Sequence, residues 1–146
     1  MVGGQPRRCR YGEWMLVITH HRLPLPGFAT TSESLAAARD ALAVLALRPG
    51  WRRGRLARAV DDPDLLLLVQ EWDDAGSCRR ALSAHEVRIA AGRFLQTAAD
   101  EPSAYEVLQW RDGAEVLDAP SAIAADGGDV GLGEAAQPYV LRGDFS

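Results

Sequence analysis

Five apolar residues in a row, Leu65-Leu66-Leu67-Leu68-Val69, stand between an Asp61-Asp62-Pro63-Asp64 turn signal and Glu71-Trp72. No other feature constrains the fold as much. A strand with one wet face alternates apolar and polar side chains, whereas a continuous apolar run implies cover on both faces. Proline presets the turn backbone and the aspartates bond nearby amides. The run is therefore a strand entered through a hairpin, whose other strand is the arginine-rich segment 51–60. In a chain of 146 residues, one face of such a strand is covered by the chain's own helices. The other face is expected to meet a second copy of the chain.

The flanking segments complete the order of elements. Residues 13–22 are strand-like, with Trp14, Leu16 and Ile18 on one face and Met15, Val17 and Thr19 on the other. Pro24, Pro26 and Gly27 then make a loop. Thr30 with Glu33 three residues on forms a capping box, and Leu35, Ala38, Leu42 and Leu45 follow at helical spacing until Pro49-Gly50. After the hairpin, Asp73-Asp74 supplies an N-cap for a second helix that bends near Ser83 and runs on to Ala98. Pro102 closes it, and residues 104–111 make a fourth strand. The resulting β-α-β-β-α-β order predicts an α+β, ferredoxin-like fold: a four-stranded antiparallel sheet with two helices on one face.

Residues 1–12 are expected to form a loose, polar leader rather than a signal peptide, since no apolar segment follows the arginines. The domain proper spans 13–111. Residues 112–146 form a Gly/Ala/Asp-rich arm or tail, either packed across a partner or mobile. The formal charge of −4 and pI near 5.3 argue against a nucleic-acid partner, because no net positive field gathers phosphates. No stretch reaches the roughly 18 apolar residues of a membrane helix, and Cys9 and Cys78 form no CxxC or Cys/His cluster that suggests a metal site. A cytoplasmic protein is expected. Arg52, Arg53, Arg55 and Arg58 fall on both faces of their strand and read mainly as solvated or ion-paired charges.

In this order of elements, the Pro49-Gly50 helix exit, the Asp61-Asp62-Pro63 turn, the strand-end Glu71-Trp72 and the Leu82-Ser83-Ala84-His85 segment resemble the antibiotic biosynthesis monooxygenase family, of the dimeric α+β barrel group. The resemblance implies a homodimer joined through the open sheet faces. It also implies a pocket between sheet and helices for a small aromatic or hydrophobic molecule of polyketide or quinol type. Quinone-forming members use oxygen without metal or flavin, because an electron-rich substrate anion itself reduces oxygen, so no cofactor is expected. A fold hosts many functions, and a non-catalytic protein that holds such a molecule is the alternative reading.

The same resemblance suggests the site. Trp72 is either a wall for an aromatic ring or a core residue sealing the strand end. Leu68, Gln70 and Tyr105 join it as substrate-binding candidates. His21 is a candidate base, its ordinary pKa lying near working pH, or else a solvent-facing strand-end residue. His85 is a second candidate base, or a helix-bend histidine held by a backbone carbonyl. Arg93 is the candidate for steadying an oxyanion. His20, by alternation, points away from His21 towards the expected dimer interface. Departures stand beside these matches. Leu68 replaces the asparagine, and Cys78 the tyrosine, of quinone-forming relatives, while Ala81 and Ala91 fall where haem-degrading relatives carry tryptophan and histidine.

Overall fold

A computed structural model describes residues 14–118. Four strands and three helices carry the domain: β1 (Met15–Arg22), α1 (Thr31–Ala46), β2 (Trp51–Arg58), β3 (Leu65–Trp72), α2 (Ala75–Ser83), α3 (His85–Leu95) and β4 (Ala104–Glu106). The sheet is antiparallel in the order β2-β3-β1-β4. This is the expected ferredoxin-like arrangement. The leader falls outside the described residues, as does the arm beyond Asp118.

Alternation along β1 and β3 divides the sheet into two unlike faces. Val17, Thr19 and His21 on β1, with Leu66, Leu68, Gln70 and Trp72 on β3, are buried beneath the helices. They meet Ala38, Ala41 and Leu45 from α1 and Val87, Ala91, Phe94 and Leu95 from α3. The opposite face carries Leu16 and Ile18 from β1 and Leu65, Leu67 and Val69 from β3, all half-buried. In register, Ile18 faces Val69 and Leu16 faces Glu71.

Local chemistry explains the helix ends. Thr30 caps α1 by accepting from the Glu33 amide at 3.0 Å, and the Glu33 carboxylate returns to the Ala29 amide at 3.0 Å. The box therefore closes one residue before the cap's own amide. Asp74 caps α2 by accepting from Ser77 N at 2.7 Å. The expected bend near Ser83 is a full break: Ala84 is extended (φ −68°, ψ 137°), and Ser83 Oγ donates back to the Arg79 carbonyl. Two helices, α2 and α3, thus replace the single one expected. Between α1 and β2, Gly50 holds φ +89°, and a Cβ there would lie 2.3 Å from Ser77. Only glycine satisfies both the backbone and the space.

The expected fourth strand over 104–111 is corrected in its second half. Pairing with β1 stops at Glu106, and the chain forms a separate hairpin of β5 (Gln109–Asp112) and β6 (Glu115–Asp118). Gly113, at φ +60°, sits in its two-residue loop. Glycine at the first of two loop positions suits a type II′ turn between the paired Asp112 and Glu115, and this turn outcompetes the continuing apolar alternation. β2 forms one edge of the main sheet, with Arg53, Arg55 and Arg58 exposed along it.

Candidate active site

The end of β1 opens into a pocket of about 360 Å³ bordered by His20, His21, Arg22, Leu65, Thr97 and Glu101. Three elements converge here: the C-terminal end of β1, the turn after α3, and the segment leading into β4. Hydrogen bonds from Ala99 N to His20 O and from Ile18 N to Ser103 O, both 2.8 Å, fasten that segment along β1.

His21 forms the floor. Its side chain lies on the helix-covered face, 1% exposed, stacked on Phe94 with ring centroids 4.2 Å apart. Both ring nitrogens are bound, Nε2 at 2.8 Å from Thr19 Oγ1 and Nδ1 at 2.8 Å from Thr97 Oγ1. The tautomer follows from Thr97, whose single hydroxyl proton goes to the Phe94 carbonyl at 2.6 Å. Thr97 Oγ1 must then accept from His21 Nδ1–H, and Nε2 keeps its lone pair for the Thr19 hydroxyl. Burial, aided by the nearby His20 charge, lowers this imidazole from 6.5 to about 4. It is neutral throughout the physiological range.

At the rim, His20 Nδ1 stands 2.6 Å from Glu101 Oε1. Arg22 is paired with Asp62, and the guanidinium holds the Asp62 carboxyl below its ordinary value.

The remaining candidates do not gather at this pocket. Leu66 is the register partner of His21, and Trp72 lies six residues further along β3, about 20 Å away at strand rise. Trp72 and Leu68 are both 0% exposed. Gln70 is buried and accepts from Trp51 Nε1 at 3.2 Å. Tyr105 sits on the open face, 43% exposed, and donates to the Pro102 carbonyl at 3.0 Å. His85 is exposed at the first residue of α3, about 13 Å along the helix from Phe94, against which His21 stacks.

Arg93 works on the β1–α1 loop. Its Nη2 donates to Gly27 O at 2.6 Å, and the guanidinium lies 4.3 Å over the Phe28 ring. Sequence reasoning missed Thr19, Thr97 and Glu101. Thr97 and Glu101 are 76 and 81 residues from His21 and His20, and nothing local marks them. Thr19 carried a signal, since strand alternation puts it on the same face as His21.

No protein-family model matches the chain, and no curated protein does. Solved structures do match. SnoaB, a cofactor-independent oxygenase from Streptomyces nogalater, is 20% identical over 71% of this chain and 99% of its own, with a TM-score of 0.54. A conserved protein from Methanosarcina mazei Go1 is 11% identical over 66% of this chain and 92% of its own, at 0.52. A structure described as an antibiotic biosynthesis monooxygenase is 14% identical over 73% and 98%, at 0.49. At these identities the likeness concerns fold alone, and in those terms the chain shares the fold of SnoaB.

Proposed function

We propose that the chain is a cofactor-independent oxygenase acting on an electron-rich aromatic molecule of polyketide or quinol type. The observation that carries the reading is the neutral imidazole of fixed tautomer at the floor of the β1 pocket. Oxygen activation without a cofactor needs a substrate anion, and therefore a proton acceptor that is unprotonated at working pH. His21 Nε2 keeps the lone pair that meets this need, 2.8 Å from Thr19 Oγ1. Thr19 is buried and does not line the pocket, so the substrate must displace the Thr19 hydroxyl from Nε2 to reach it.

The magnitude restricts the substrate. Moving a proton from an ordinary phenol near 10 to an imidazole near 4 costs about 8 kcal/mol. A turnover of about 10 per second allows a barrier near 16 kcal/mol. Half of that barrier would be used before oxygen reacts, which favours substrates with unusually stabilised anions, such as anthrones or vinylogous acids.

The expected result is oxygen uptake by the purified protein with anthrone or hydroquinone, falling by about 100-fold or more in His21→Ala. His85→Ala should stay within about twofold. Uptake that survives His21→Ala would sink this mechanism. A second reading, a non-catalytic binder of the same molecule, is favoured by the occupancy of both His21 nitrogens and by the complete burial of Trp72 and Leu68. Saturable binding of anthrone without oxygen uptake would select it.

The open sheet face supports a homodimer within the same proposal. Leu16, Ile18, Leu65, Leu67 and Val69 form a contiguous apolar surface on adjacent strands, of the kind that marks an interface. Val69→Asp is expected to convert a dimer to a monomer by sedimentation velocity. A wild-type monomer at micromolar concentration would refute the interface.

A further inference from the structure

Four of the seven large apolar side chains exposed among the described residues, Tyr105, Leu108, Val116 and Leu117, fall in the stretch that carries β4 and the β5–β6 hairpin. Clustering of this kind marks a contact surface, whereas apolar residues exposed singly do not. The hairpin is tied to the main sheet by an edge-on contact of Trp110 with Trp14, ring centroids 6.2 Å apart. A two-stranded hairpin with so little behind it is marginal in water. Its charge is one-sided. Asp112 and Glu115 are register partners, and neither has an ionic partner among the described residues. Asp118 accepts from the Gln109 amide at 2.6 Å, and the one cation on the two strands is Arg111. Like charges directly opposite destabilise a strand pair, so a cationic neighbour would stabilise this one.

The far edge of the main sheet has the converse chemistry. β2 pairs with β3 on one side and leaves its other side open. Arg55 and Arg58 are exposed on it, with no ionic partner among the described residues. Val60, two residues beyond Arg58, is 98% exposed. The hairpin follows β4, which stands three strand spacings from β2, about 14 Å. Its acids therefore answer the β2 arginines in chemistry without pairing with them in the same chain.

We propose that the β5–β6 hairpin docks along the β2 edge of a second copy of this chain, with β6 added to that β2 as a further strand. Main-chain hydrogen bonds between two free edges supply the affinity. Glu115 and Asp118 set against Arg55 and Arg58 supply register and speed of encounter. Val116 and Leu117 bring apolar cover to Val60. In a two-fold pair each chain gives its hairpin and receives the other's, so both β2 edges are filled and the contact closes. The docking is independent of the oxygenase reading and adds a second contact to the open sheet face.

Sedimentation velocity of the full chain in two charge-reversed forms tests the docking. Arg55→Glu with Arg58→Glu, and separately Glu115→Arg with Asp118→Arg, should each weaken self-association at least tenfold, because like charges then meet at both edges. An equimolar mixture of the two forms restores opposite charges at both edges and should associate within about threefold of the wild type. Wild-type amide exchange in β3 verifies the fold of each form beforehand, and the milder pair Arg55→Glu and Glu115→Arg repeats the experiment. Unchanged association of either form, a mixture as weak as its components, or a monomeric wild type would each overturn the docking. Val69→Asp tests the sheet face and oxygen uptake tests the chemistry, so the three readings fail separately.

Discussion

Acidification from pH 7 to pH 4 is expected to remove about 3 kcal/mol of folding stability through His21 alone. Its pKa falls from 6.5 to about 4 on folding, so below 6.5 the unfolded chain binds a proton that the folded chain refuses. Stability then falls with decreasing pH across that window and levels off below about 4. The cause is structural. Protonated Nε2 would face the Thr19 hydroxyl, which now donates to it, in a site 1% exposed. Urea unfolding of wild type and His21→Gln at several pH values measures the effect. The wild-type curve should drop more steeply between pH 6.5 and 4, with the two curves differing in slope by up to one proton. Parallel curves would mean that His21 is not held neutral by the fold. The depressed Asp62 carboxyl lies outside this window, since its pKa moves down from 3.8.

Trp72→Ala is expected to cost about 3–5 kcal/mol, a large share of the roughly 5–15 kcal/mol that holds an ordinary domain together. The side chain is fully buried at the end of β3, and its removal leaves a cavity among helix-facing core residues. Its indole N–H has no hydrogen-bond partner among the described residues. An unsatisfied buried donor costs about 1–3 kcal/mol, so Trp72→Phe, which loses volume but also loses the donor, should be far milder than alanine. Denaturant midpoints of the two variants distinguish a core role from a ligand wall. A ligand wall would give near-native stability in Trp72→Ala together with lost binding of anthrone.

The architecture was legible because it rests on local patterns. The Leu65–Val69 run announces a strand, Thr30 with Glu33 announces the start of α1, and Asp74 announces α2. The turn at Gly113 is equally local, but in the sequence the apolar alternation from Tyr105 to Trp110 reads as one continuous strand and hides the hairpin that forms. The site was less legible. His21 was singled out as a base or a wet strand end, and it is buried; which face of a strand lies under helices is decided by tertiary packing. Its partner Thr97 is a common residue in a turn, and no pattern in one sequence joins positions 76 residues apart. Arg93 offered a charge near the expected site, but its contacts with Gly27 and Phe28 depend on a loop path that spacing does not encode.

The arginines of β2 bear on how this sheet avoids growing. An edge strand presents unpaired amide and carbonyl groups that invite another chain to add on, and a long apolar edge is a nucleus for aggregation. Here the exposed Arg53, Arg55 and Arg58 repeat along that edge. A second β2 laid alongside would bring two rows of like charge together, which disfavours pairing. At the other edge, β4 has three residues and offers little to extend. The chain can thus keep an apolar sheet face available for a single matched contact while refusing open-ended stacking at its sides.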